Sequence, residues 1–277
     1  MRRLWRSLVL PVLRVSLVVY VTLCLFMYAS QTQLIFLSSR LNDDYQFHFP
    51  HNFREVRIPV AGTELHGLLF TAPDAASDAA PDPDGVVLFL HGNGGAVDQW
   101  GLLANQYLRR GYDVLFVDYR GYGKSGLTIR GEAELHADMR AVYDYLAQLY
   151  PEDKITLVGR SIGTGLATRL AAEHSPYQLI LESPYFSFRS LAAQRFWYLP
   201  TDLLLSYPLK TNEWITQVKC PITLIHGTDD ELIPFDHSRR LQALASDRTR
   251  LLPLEFAGHN GIEARRDYQA MLDELLP

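Results

Sequence analysis

The chain has 277 residues, 48% of them hydrophobic and 21% charged, which suits one domain with a single core. A formal net charge of −5, with no basic aromatic patch, argues against nucleic acid as a partner. The two cysteines, Cys24 in an apolar N-terminal stretch and Cys220 ahead of a strand, are placed too differently to pair; they leave the redox compartment unread and cannot build a cysteine metal site.

Residues 7–29 are almost wholly apolar, interrupted by Pro11 and Arg14. A helix of that length, at about 1.5 Å per residue, crosses a hydrocarbon core of about 30 Å. Arg2, Arg3 and Arg6 precede it, which predicts a cytoplasmic N-terminus and a domain on the periplasmic or other extracytoplasmic side. Arg14 snorkels toward the same cytoplasmic face. A cleaved signal peptide is the rival reading. Ala29 and Ser30 are small enough for cleavage, but Met27 and Tyr28 spoil the site, and Leu23 spoils a lipobox at Cys24. The expected division is a retained signal-anchor over 1–30 and one domain over 31–277. Residues 33–37 then either lie at the lipid interface or pack on the domain.

Residues 55–59 and 64–71 alternate as two antiparallel strands joined at Gly62. Residues 72–84 are rich in Ala, Pro and Asp and read as a surface loop. From Gly85 onward strands and helices alternate, which predicts an α/β fold: a mostly parallel central sheet with helices on both faces. Helices are expected over 97–110, 132–150, 162–174, 236–245 and 263–276. The stretch 188–219 breaks the alternation and carries Phe196, Trp197, Tyr198, Leu203, Leu204, Leu205, Tyr207 and Trp214. It reads as a short helical lid, with Phe196, Trp197 and Tyr198 as candidates to bind an apolar acyl group.

The most informative motif is Gly159-Arg160-Ser161-Ile162-Gly163, directly after an apolar, β-branched strand and directly before a helix. Strand, G-x-S-x-G, helix is the context of a nucleophile elbow, in which Ser161 sits in a strained turn and the flanking glycines avoid clashes. A serine hydroxyl needs a base, and the base needs an orienting carboxylate. His259 follows the last expected strand. Asp230 closes the run His226-Gly227-Thr228-Asp229-Asp230 and is the expected acid; Asp229 caps the turn or faces solvent, and Glu182 is the alternative acid. The run His91-Gly92-Asn93-Gly94-Gly95 follows a fully apolar strand and would supply one oxyanion donor, the Asn93 N–H; the second is the Ile162 N–H. Both act through main chain, so their side chains should matter less, and His91 reads as a brace. Residues 120–125 end in Gly-Lys-Ser, but Walker A requires glycine where Asp118 stands, so they read as a loop at the site's mouth. His136 and Asp138 have ligand chemistry but read as a solvated helix face.

Together His91–Gly95, the run from Asp118 through Gly126, Gly159–Gly163, the run from His226 to Pro234, and Ala257-Gly258-His259-Asn260 resemble the α/β-hydrolase superfamily. More narrowly, they resemble its membrane-anchored branch of serine aminopeptidase-like hydrolases and α/β-hydrolase-domain depalmitoylases. The resemblance covers about residues 54–276. It departs from the usual H-G-N-A-x-N loop, since Gly94, Gly95 and Asp98 follow Asn93. It implies an α/β-hydrolase fold and a membrane-anchored serine esterase or thioesterase. Ser161, Asp230 and His259 would be catalytic, the partners a lipid bilayer and a small-molecule or lipidated ester, and no metal or organic cofactor would be needed. A serine peptidase and a non-catalytic membrane scaffold are the competing expectations. The peptidase ranks lower because the lid offers only Asp202 and Glu213 to meet a substrate ammonium.

Overall fold

A computed structural model describes residues 9–72 and 84–277 of the chain. Arg2, Arg3, Arg6 and most of the Ala/Pro/Asp-rich stretch fall outside the described residues. Helix α1 (Leu10–Ile35) runs five residues beyond the expected boundary at 30. Residues 10–19 are exposed, whereas Gln31 and Phe36 are buried against the domain. Within residues 33–37, Phe36 packs on the domain, meeting Tyr207 edge to face at 5.1 Å, while Gln33, Leu34 and Leu37 are exposed.

Strands β1 (Phe53–Val60) and β2 (Thr63–Phe70) form a hairpin. Next come β3 (Gly85–Leu90), helices α2 (Val97–Trp100) and α3 (Ala104–Leu108), and β4 (Tyr112–Val117). The single helix expected over 97–110 is thus broken, with a 3₁₀ turn at Gly101–Leu103. Helix α4 (Glu132–Ala147), β5 (Ile155–Arg160), α5 (Gly163–Glu173) and β6 (Gln178–Glu182) complete the first half of the parallel sheet. The insertion holds α6 (Phe188–Arg195), α7 (Thr201–Leu204) and α8 (Thr211–Trp214). Then follow β7 (Ile222–Gly227), α9 (Asp236–Leu244), β8 (Thr249–Leu254) and α10 (Arg266–Leu275).

One eight-stranded sheet results, in the order β1-β2-β4-β3-β5-β6-β7-β8. β1, β2 and β4 pair antiparallel, and β4 through β8 run parallel. The parallel strands from β3 to β7 are buried end to end, because helices cover both faces, so they read as mostly apolar runs. Side-chain alternation splits them between two cores. Val86, Leu88 and Leu90 join Met139, Val142, Leu166 and Leu170 on one face. Val87 and Phe89 join Phe116, Tyr107, Tyr268 and Leu272 on the other.

The helix from Glu132 is more buried than a solvated face allows. His136 and Asp138 are both buried, and Asp138 accepts two hydrogen bonds from the buried Arg120, at 2.5 and 2.8 Å. The expectation of a solvated pair fails because the Arg120 partner lies eighteen residues away, beyond any local pattern. Arg120 itself therefore lies inside, not at a mouth.

Candidate active site

The turn from β5 into α5 positions Ser161. Its φ is +52°, a left-handed conformation that costs a non-glycine residue about 1–3 kcal/mol. The Ser161 N–H donates to Glu182 O at 2.9 Å and the Ser161 carbonyl accepts from Thr164 N–H at 3.0 Å, which hold the turn closed. Its tightness explains the glycines. A Cβ on Gly163 would sit 2.1 Å from Leu90 O, and one on Gly159 would sit 2.7 Å from Gly163 O.

Three loops at the carboxyl ends of β5, β7 and β8 bring Ser161, Asp230 and His259 into one line. His259 Nε2 lies 3.0 Å from Ser161 Oγ, and His259 Nδ1 lies 2.7 Å from Asp230 Oδ2. Burial alone would push the Asp230 carboxyl up, but hydrogen bonds from His226, His259 and the Ile233 N–H outweigh it and hold the group well below the usual carboxylate range. Oδ1 accepts from Leu232 N–H at 2.9 Å and Ile233 N–H at 2.8 Å. An ionised Asp230 fixes the proton of His259 on Nδ1 and leaves the Nε2 lone pair facing the serine hydroxyl.

His226 went unassigned in the sequence, although it sits inside the motif that carries Asp230. It is fully buried, and its Nε2 faces Asp230 Oδ2 at 3.2 Å and Ile233 O at 2.8 Å. Two acceptors there place the proton on Nε2, while Nδ1 meets Ser238 Oγ at 2.6 Å. His226 thus braces Asp230. Glu182 is engaged elsewhere: its carboxyl accepts from Tyr268 OH at 2.5 Å and lies 3.6 Å from Arg160. Burial pushes Glu182 up by more than Arg160 and Tyr268 pull it down. Asp229 is exposed.

Asn93 and Ile162 border the same cavity as Ser161, and among the described residues neither N–H has a hydrogen-bond partner. The Asn93 side chain matters more than the sequence reading allowed. Its Oδ1 accepts from Leu37 N–H at 2.8 Å and Tyr122 OH at 3.0 Å, and its amide donates to Ile35 O at 2.5 Å. The end of α1 is thereby tied to the loop after β3. Residues 120–125 do not line the cavity. Instead Tyr122 braces Asn93, Tyr119 OH donates to His91 O at 2.8 Å, and Lys124 pairs with Glu55 at 2.9 Å.

A model of the serine aminopeptidase family, S33, matches residues 81–205. An uncharacterised Mycobacterium tuberculosis protein, Rv2307c, is 31% identical over 274 residues, spanning 98% of this chain and 94% of that one. The mouse lysophosphatidylserine lipase ABHD12 is 30% identical over 193 residues, or 61% of this chain and 47% of the lipase, so the match spans about half of that protein. The solved Pyrococcus furiosus esterase Pf2001 superposes with a TM-score of 0.65 at 22% identity, covering 86% of this chain and 95% of the esterase. A puromycin-hydrolysing peptidase from M. tuberculosis reaches a TM-score of 0.67 at 20% identity, covering 85% of this chain and 40% of that chain. At such identities these two structures speak for the fold alone.

The chain belongs to the α/β-hydrolase superfamily.

In this α/β-hydrolase the serine opens into a largely apolar cavity of about 800 Å³. The lid contributes Phe188, Leu191, Phe196, Leu199 and Leu204, and α1 contributes Phe26, Met27 and Leu34. Of the three aromatics expected to bind an acyl group, Phe196 lines the cavity and the other two do not. Trp197 is 81% exposed and Tyr198 48% exposed, because α6 ends at Arg195 and the chain turns outward there. The involvement of α1 had no signal in the sequence beyond its apolarity. Arg160 also reaches the cavity; it donates to Glu263 at 3.0 Å and to His259 O at 3.5 Å, so it steadies the His259 loop.

Proposed function

We propose that this hydrolase is a membrane-anchored serine esterase or thioesterase acting on apolar acyl groups through an acyl-enzyme. The observation that carries the reading is the hydrogen-bonded line Ser161–His259–Asp230 opening into a cavity walled by Leu and Phe side chains. Ser161 Oγ attacks the acyl carbonyl carbon as His259 Nε2 takes its proton. The resulting oxyanion meets the N–H groups of Asn93 and Ile162, two fixed donors that act where the charge develops. Collapse expels the alcohol or thiol, which takes the proton from His259. Water, deprotonated by the same imidazole, then releases the acid. Asp230, held ionised, steadies the imidazolium in both halves.

The anchor is α1, whose 26 residues reach about 39 Å at 1.5 Å per residue, more than a hydrocarbon core of about 30 Å. Its proposed orientation leaves the N-terminus cytoplasmic and the domain extracytoplasmic, as the leading arginines favour.

A peptidase is the second reading, favoured by the family model. It ranks lower because an aminopeptidase must hold an ammonium, and Glu231 is the sole acidic side chain among the described residues that line the cavity. Asp202 faces Arg189 at 3.5 Å and Glu213 faces Lys210 at 3.1 Å.

The test is turnover of p-nitrophenyl esters and a palmitoyl thioester by the full chain, beside Ser161→Ala. The variant should lose at least about a thousandfold in kcat while its melting temperature holds. Wild-type rates in the variant would refute the role of Ser161. Amino acid release from short peptides, with every ester untouched, would put the peptidase first.

A further inference from the structure

We infer that α1 is a wall of the acyl site as well as an anchor, and that the cavity mouth lies in the bilayer, so the acyl chain enters sideways from lipid between α1 and the lid. The inference rests on the ester-hydrolase reading above.

Three observations lead there. First, Phe26, Met27 and Leu34 of α1 face the cavity that also holds Ser161, opposite Leu191, Phe196 and Leu204 of the lid. Second, α1 and the lid are stitched together along their length. Tyr20 OH donates to Tyr198 O at 3.0 Å, and Gln31 donates to Leu204 O at 3.1 Å and accepts from Ser206 N–H at 2.7 Å. Thr32 Oγ1 and Tyr207 OH share a further bond at 2.9 Å. Gln31 is the informative member. An amide on an apolar helix is costly in lipid unless its donors and acceptor are met, and here the lid backbone meets both ends.

Third, the depth is constrained. About 20 residues span the hydrocarbon. Counted from Leu10 the span ends at Ala29; counted from Val15, so that Arg14 stays at the interface, it ends at Leu34. Phe26 and Met27 lie within it on either count, and so does Tyr20, to which the lid is bonded. The lid segment at Tyr198 therefore reaches bilayer depth. Trp197, 81% exposed, and Leu203, 83% exposed, project from this segment without lining the cavity. Large apolar side chains left bare beside a membrane helix fit lipid as their partner, and tryptophan suits the interface in particular.

The full chain in phosphatidylcholine vesicles tests this in two independent arms. The first needs no turnover. Tryptophan emission is compared with and without brominated phosphatidylcholine in the wild type and in Trp197→Phe. The component lost on substitution should be quenched by the brominated lipid; an unquenched component overturns the bilayer-facing mouth. The second arm reads chain-length preference. Met27→Trp should lower the ratio of hexadecanoyl to butanoyl ester turnover at least fivefold, and Met27→Ala should shift it the other way. A ratio unmoved by both variants removes α1 from the acyl site. A wild type inactive on every ester defeats the ester-hydrolase reading and the acyl-site role of α1 with it, and the quenching arm still decides where the lid sits.

Discussion

Asn93 and Gly163 show how much one position can carry. Gly163 lies where a Cβ would meet Leu90 O at 2.1 Å and His91 O at 2.8 Å, both rigid backbone at the end of β3. Neither the elbow nor the strand can retreat, so Gly163→Ala should destabilise by several kcal/mol through overpacking and leave little soluble protein, as read by thermal melting. Asn93 works differently. Its backbone N–H is the proposed oxyanion donor, while its side chain holds Ile35, Leu37 and Tyr122. Asn93→Ala keeps the N–H but frees the loop. Two of these three hydrogen bonds are exposed and one is part-buried, so their loss costs about 1 kcal/mol. A drop of about tenfold in kcat with little change in KM is expected, since the loss falls on a donor used in the transition state. An unaltered kcat would mean that the loop holds its place without α1.

At the scale of elements, the lid is rooted by a histidine. His237, on α9, accepts from Phe186 N–H through Nδ1 at 2.9 Å and meets Gln194 Oε1 through Nε2 at 3.1 Å. Phe186 precedes α6 and Gln194 lies within it, so one neutral imidazole ties both ends of the first lid helix to the body. Burial, with help from the nearby Arg240, lowers its proton affinity to a pKa of about 4, while Asp236 and Asp230 oppose the shift. The free side chain titrates near 6.5. The stabilising contribution is therefore whole above about pH 6.5, falls as the unfolded chain gains a proton the fold resists, and is spent by about pH 4. Hydrogen-exchange protection factors over residues 186–195, taken against the intrinsic rate at each pH, should fall between pH 6.5 and 4, and His237→Gln should flatten that dependence. Protection that does not change with pH would separate His237 from lid stability.

For the whole molecule, the question is what α1 does to the domain it touches. A fragment of residues 43–277 loses the bonds from Tyr20, Gln31 and Thr32 to the lid and those from Ile35 and Leu37 to Asn93. At about 1 kcal/mol for each well-made bond, and about 2–4 °C per kcal/mol for a chain of this size, its melting temperature should fall on the order of 12–24 °C. Phe26, Met27 and Leu34 leave the cavity wall with it, so selectivity for long acyl chains should fall as well. A fragment with the melting point and chain-length profile of the full protein would make α1 a tether and nothing more.

The sequence by itself determined what is local. Apolar runs of strand length placed the parallel strands, because a strand covered on both faces must be mostly apolar. The glycines around Ser161 marked the elbow, because the clash they avoid lies within a few residues and the adjoining strand. Chain order then ranked Asp230 and His259. The tertiary structure decided what depends on distant partners. It buried Arg120 with Asp138, gave Glu182 to Tyr268, turned Trp197 and Tyr198 outward, and folded α1 into the cavity wall. None of these contacts leaves a periodic trace: each joins residues through packing, where geometry and desolvation choose the partner and spacing along the chain does not.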